Sequence, residues 1–153
     1  MQHSTAYALT CSSFVAGLLL LSACGDPEVT RLERVRTFMT AELEPPSDII
    51  WDNAGFILTY EGEENIFPAN DEEWTAMIDA ANELKRIAEE MKDPAYAGDD
   101  PAWGVTADGL IATGDLLIES ASAQDEQAFF DAGGQLYRVC VSCHQRYNMK
   151  SVE

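Results

Sequence analysis

Two cysteines and a histidine lie together near the end of the chain, in the pattern Cys140-Val-Ser-Cys143-His144. Thiols and an imidazole at this spacing can bind a metal ion, form a redox disulfide or attach a haem through two thioether bonds. On a helix, Cys140 and His144 are four residues apart and share a face, and Cys143 lies beside them. The pattern therefore predicts one site at which all three side chains reach the same group.

The start of the chain is typical of an export signal. Residues 7–24, YALTCSSFVAGLLLLSAC, are mostly apolar, too short to span a membrane, and end in small residues. The close, Leu21-Ser22-Ala23-Cys24, resembles the lipobox of bacterial lipoproteins, in which cleavage precedes a cysteine that receives lipid. We expect a lipoprotein signal peptide over residues 1–23 and a mature domain over 24–153. Cys24 would anchor it stably to the periplasmic side of a bacterial membrane; an ordinary signal peptide is the alternative.

The mature domain is strongly acidic. The formal net charge is −18, and residues 1–23 contain no acidic or basic side chain that contributes to it. Such a charge disfavours electrostatic binding to nucleic acid or to anionic lipid headgroups, so we expect no nucleic-acid partner. It permits a basic redox protein as partner, or it keeps an exported domain soluble. A homodimer is left open as the oligomeric state.

Export determines which cysteines remain in the mature domain, and this limits what the remaining pair can bind. Cys11 leaves with the signal and Cys24 carries lipid, so Cys140 and Cys143 remain. A redox disulfide of thioredoxin type needs a strand-helix-strand setting, and the sequence has no such alternation. A structural zinc ion needs four ligands, more than two cysteines and His144 supply. Cys-x-x-Cys-His is the sequence requirement for covalent haem attachment, and we predict one haem c per chain.

Four stretches with helical apolar spacing must position this motif. They run from Leu32 to Leu43, from Asn70 to Pro94, from Trp103 to Ala121, and from near Ser122 to Tyr147. No segment has sustained strand alternation. We therefore predict an all-α fold, an antiparallel four-helix bundle with haem bound near the C-terminal end of the last helix.

The stretch after the first helix is harder to assign. That helix must end or kink by Glu44, because Pro45 and Pro46 follow. We expect Ser47 to cap a helical continuation, with an irregular acidic crossover after it. The second long helix has a clearer start, since Asn70 and Glu73 form a capping box.

The C-terminal motif also carries a family resemblance. A single Cys-x-x-Cys-His near the end of the last of four helices, with an aromatic residue three positions after the histidine, resembles the cytochrome c′ family and its low-spin Met-ligated members. The resemblance covers about residues 28–150, and its specific part is Cys140, Cys143, His144 and Tyr147. It implies that these four residues contact the haem and that His144 is an axial iron ligand.

The group that faces the iron opposite His144 decides the function. The candidate sulfur ligands are Met39, Met77, Met91 and Met149, and Met149 is too close to His144 on the same helix to reach around the ring. In the family the distal residue lies on the first helix, which implies Met39. An ordinary core position for Met39 is the alternative.

Two functions follow from these alternatives. A Met-ligated iron has no open position and a raised potential, which suits periplasmic electron transfer. A five-coordinate iron would bind NO or CO, as the resemblance to high-spin family members implies. A weaker alternative is a bundle in which haem mainly stabilises the core. We favour electron transfer, and we expect no enzyme because no paired carboxylates, Ser-His-Asp set or phosphate loop is recognisable.

Overall fold

The structure is a computed structural model that describes residues 27–147. The expected signal peptide, Cys24 and Met149 lie outside the described residues. Helices make up 79% of the described part, so the fold is mostly helical, as the sequence predicts. None of the helices in this part is long and apolar enough to cross a membrane.

Within residues 27–147, six α-helices, one π-helical segment and one hairpin follow each other. They are α1 (Pro27–Phe38), the π segment (Met39–Leu43), α2 (Glu44–Asp52), β1 (Phe56–Thr59), β2 (Gly62–Asn65), α3 (Asp71–Glu90), α4 (Pro94–Ala97), α5 (Pro101–Ala123) and α6 (Glu126–Tyr147). Helix α5 packs against both α3 and α6, and α2 packs against α3. We call α1, the π segment and α2 together the first helical run.

The first helical run continues through the proline pair and does not end before it. In the π segment the Glu44 N–H donates to the Met39 carbonyl, five residues back. Pro45 and Pro46 then occupy the first positions of α2, where a missing N–H costs least. Of the two expected outcomes, the helical run does not end by Glu44; its regular α-helical geometry is instead interrupted by a wider π turn directly before the prolines.

Ser47 does not cap a new helix, contrary to expectation. It lies inside α2, buried, and its hydroxyl donates to the Leu43 carbonyl over 2.8 Å. Because the helical run is continuous, the N–H groups at the start of α2 do not need a side-chain cap.

The crossover after α2 contains a β-hairpin that the sequence did not predict. β1 pairs antiparallel with β2, from Phe56 opposite Asn65 to Thr59 opposite Gly62. Gly62 has a φ of 143°, a conformation that strains residues with a side chain. Both strands are exposed along their length, so neither has the alternation that marks a strand with one buried face.

The predicted apolar stripes of α3 and α5 meet in the core. Asn70 caps α3 by accepting a hydrogen bond from the Glu73 N–H over 3.0 Å, as the capping box predicts. The buried hydrophobic residues of these two helices are Trp74, Met77, Ala80, Ala81, Leu84, Ile87, Ala88, Trp103, Ala107, Leu110, Leu117 and Ala121. The α3–α5 contact therefore supplies a large part of the apolar burial that holds the helices together.

Truncating the middle of this contact should be costly. Leu84 on α3 is 0% exposed, and Leu84→Ala should lower the free energy of unfolding by about 2–5 kcal/mol, since it removes buried contacts and leaves a cavity. Leu116→Ala is the control because Leu116 on α5 is half exposed, and its effect should stay near 0.5 kcal/mol. Urea unfolding followed by circular dichroism measures both; equal losses would contradict the assigned core.

Candidate functional site

A cavity of about 340 Å³ lies between α6 and the first helical run. Its lining residues are Met39, Thr40, Leu43, Glu44, Ser47, Asp48 and Trp51 from the first helical run, Met91, Thr106 and Leu110 from the end of α3 and from α5, and Val139, Cys140, Cys143 and His144 from α6. The structure therefore brings four of the sequence-predicted site residues together: Met39, Cys140, Cys143 and His144.

The first helical run lines the cavity with every fourth residue from Met39 to Trp51. In a regular α-helix, positions four residues apart rotate by about 40° at each step, so the last would turn well away from the first. The π turn contains more residues per turn and offsets part of this rotation. The π segment thus keeps Met39 on the same side as Ser47 and Trp51.

Cys140 and Cys143 carry free thiols, both partly buried. Burial raises the pKa of Cys140, and burial followed by the nearby Cys140 raises the pKa of Cys143 to about 11. Both thiols are therefore protonated at neutral pH and are weak nucleophiles without an activating group. His144 is exposed at the cavity edge, one turn beyond Cys140 on α6.

The hydroxyl groups in the cavity wall are used within their own helices. Each donates to a carbonyl four residues earlier: Thr40 to Arg36, Ser47 to Leu43, and Thr106 to Ala102. The charged side chains in the described lining are Glu44 and Asp48, both acidic. The cavity is otherwise apolar, apart from the imidazole of His144.

Two of the four candidate methionines line this cavity. Met39 is half buried on the π segment, and Met91 is buried directly after α3. Met77 belongs to the core and does not line the cavity. The sequence could not separate Met91 from Met77, since both occupy the apolar stripe of the same predicted helix.

Tyr147 lies outside the cavity lining. Its hydroxyl donates to Asp100 over 3.0 Å, and its ring packs edge-on against Trp103 at 5.1 Å between centroids. Asp100 also accepts a hydrogen bond from the Ala102 N–H at the start of α5. These contacts fasten the end of α6 to the start of α5, so in the structure Tyr147 has a packing role next to the motif.

Trp51 lines the cavity but is not among the site residues predicted from the sequence. Its indole N–H donates to the Gly133 carbonyl of α6 over 3.1 Å. A Cβ atom at Gly133 would lie 3.8 Å from the Trp51 ring, at ordinary contact distance. In the sequence, Trp51 follows Ser47 by four residues, which puts both on one face of α2. That spacing is equally typical of a core residue, so it did not identify Trp51 as a cavity residue.

Comparisons with protein-family models, with curated proteins and with solved structures found no match. Within residues 27–147, no three His, Cys, Asp or Glu side chains are placed so that they could hold a metal ion by themselves. The two thiols, the imidazole and the cavity beside them are therefore the features of the described residues that bear on function.

The raised thiol pKa gives a test of this environment. In haem-free protein lacking residues 1–23, alkylation of Cys143 by iodoacetamide should remain slow at pH 8 and accelerate towards pH 11, because the reactive thiolate forms only there. The same chain unfolded in urea is the control and should titrate near the ordinary thiol pKa of about 8.5. Identical pH profiles for the folded and unfolded chain would contradict the buried placement.

Proposed function

We propose that this protein is a c-type cytochrome that carries one covalently attached haem c and transfers electrons. The observation that carries the proposal is the meeting of Cys140, Cys143 and His144 with Met39, which is distant in sequence, around one cavity. The thiols would form the two thioether bonds, and His144 would be one axial iron ligand. The bound haem supplies a reversible one-electron couple, and the protein sets its potential through ligands, charge and burial.

The residues present fit such a group. The two thiols and the imidazole share one wall, from which three bonds to one haem can form. The cavity is within the usual size of sites for small ligands and cofactors, and its apolar lining suits a macrocycle. Glu44 and Asp48 are the acidic residues of the described lining, and they would repel the carboxylates of a haem placed beside them.

We propose that the four long helical segments form an antiparallel four-helix bundle of the cytochrome c′ type. These segments are the first helical run, α3, α5 and α6. The packing of α5 on α3 and α6, of α2 on α3, and of Trp51 on Gly133 supports a closed arrangement of the four. The haem would lie near the C-terminal end of α6.

For the iron position opposite His144 we favour Met39, since a thioether ligand closes the site and suits electron transfer. The second candidate function is a five-coordinate haem that binds NO or CO. It is supported by the apolar cavity, whose hydroxyl groups all donate to their own helices and so offer little to a polar ligand. In either case we propose no enzymatic turnover.

The proposed location is the periplasmic face of a bacterial membrane, with the mature domain anchored by a lipid on Cys24. This part of the proposal rests on the Leu21-Ser22-Ala23-Cys24 motif alone. Electron transfer by a tethered domain would take place with partners that diffuse along or near the membrane.

Covalent attachment is tested by denaturing gel electrophoresis with a haem stain. Wild-type protein made in a host that matures c-type cytochromes should retain the stain, and Cys140→Ser/Cys143→Ser should lose it, because no thioether bond can form. Ser142→Ala keeps both thiols and is the matched control. Stain lost from wild type, or retained by the double variant, would refute the attachment.

The sixth ligand is tested by ferric visible spectra of Met39→Leu and Met91→Leu, which preserve apolar volume while removing one sulfur each. If Met39 is the ligand, wild type and Met91→Leu should be low-spin, and Met39→Leu should become high-spin and bind CO faster in the ferrous state. Loss of the low-spin spectrum in Met91→Leu alone would assign Met91 instead. A high-spin wild type would favour the gas-binding function.

A further inference from the structure

We propose that the outer face of Trp51 belongs to a docking groove for a basic, one-electron redox protein, and that electrons leave or enter the haem through this wall. The inference rests on the proposed function. Trp51 lines the candidate-site cavity and also a separate groove of about 260 Å³ between α2 and α6. Trp51 therefore borders both the proposed haem site and this outer groove.

The groove, which we call the aromatic groove, has glycines at its base and exposed rings at its sides. It is lined by Trp51, Ala54, Phe130, Gly133, Gly134 and Tyr137. Phe130 is 48% exposed and Tyr137 is 61% exposed. They are seven residues apart on α6 and so lie on the same face, about 10 Å apart along the axis. A partner side chain could enter between them and contact all three rings.

Direct contacts fix the position of the Trp51 ring between the cavity and the aromatic groove. The Trp51 indole donates to the Gly133 carbonyl over 3.1 Å, which fixes the ring plane between the two spaces. Tyr137 packs edge-on against Trp51 with 6.4 Å between ring centroids. Electronic coupling falls with distance and across gaps, so a packed pair of rings that runs from the cavity to an exposed edge is a suitable electron path.

The charge around the groove identifies the class of partner. No Lys, Arg or His occurs between Arg36 and Lys85, a stretch that includes all of α2 and the hairpin. Asp48 and Asp52 flank Trp51 on α2 and are both exposed. Arg138 lies beside Gly134 on the α6 side and donates to the neutral amide of Gln135, so its positive charge remains and stands against the two acids of α2. Lysine or arginine side chains would be attracted by these acids and can also stack on the aromatic rings.

A second copy of this chain fits the groove poorly, because two domains of charge −18 repel each other.

The proposed electron transfer involves a single electron on each side. A haem held by Cys140, Cys143 and His144 would supply one electron on going from ferrous to ferric, and that electron would reduce the partner's one-electron centre, a ferric haem or a cupric ion, with no proton or bond exchanged. The reverse transfer uses the same path when the partner is the donor.

The test compares Tyr137→Ser with Tyr60→Ser in haem-loaded protein. Tyr60 is a fully exposed tyrosine of the hairpin turn and lies outside the groove lining, so it is the matched control. The probe is a lysine-rich, mitochondrial-type cytochrome c in its ferric form. We expect Tyr137→Ser to slow its reduction by about tenfold, the effect of losing one central aromatic contact. Tyr60→Ser should react like wild type.

Two further measurements separate docking from a change at the haem. Oxidation by a small cobalt(III) complex should proceed at the same rate in all variants, because it needs no docking. Binding measured by calorimetry with both proteins ferric, when no electron can pass, should weaken about tenfold in Tyr137→Ser and in wild type at raised salt.

Several results would contradict the proposed docking at the aromatic groove. These are an unchanged rate and affinity in Tyr137→Ser, equal slowing with both oxidants, a wild-type reaction that does not depend on salt, or self-association of wild type that Tyr137→Ser abolishes. Absence of bound haem in wild type would instead refute the proposed function itself, and with it this inference.

Discussion

The contact between Trp51 and Gly133 is the interaction on which the candidate site depends. The indole hydrogen bond to the Gly133 carbonyl holds α2 against α6, and the cavity lies between the first helical run and α6. If α2 lay farther from α6, the two partly buried cysteines would lose the wall that faces them across the cavity.

The proline pair and the π segment together determine which residues of the first helical run face the cavity. Pro45 and Pro46 cannot donate to the carbonyls one turn earlier, so a regular α-helix through them would be broken. The π turn absorbs this loss and also shifts the angular positions of the residues before it. As a result, Met39 and Trp51 line the same cavity although they lie at opposite ends of the cavity-facing stretch.

The charged side chains are distributed unevenly between α2 and α6, the two helices on either side of the cavity. The motif helix α6 contains the basic residues Arg138 and Arg146, whereas the wall that faces it, α2, contains only acids among its charged residues. An acidic wall raises the cost of burying further negative charge and lowers the cost of a cationic iron centre. The same wall would attract a basic protein of the kind proposed, and at longer range exposed charges act mainly on the rate of encounter.

The sequence by itself determined the helical class, the capping of α3 by Asn70, and the spacing of Cys140, Cys143 and His144, because each depends on periodicity or on neighbours within one turn. It could not determine the hairpin, since both strands are exposed and lack alternation, or the continuity of the helix through Pro45 and Pro46. Only the tertiary structure decided that Met39 and Met91 line the cavity while Met77 does not, and that Trp51 is shared with an outer groove. Such facts depend on the rotation of each helix about its axis and on which helices touch, and these are set by packing among residues far apart in the chain.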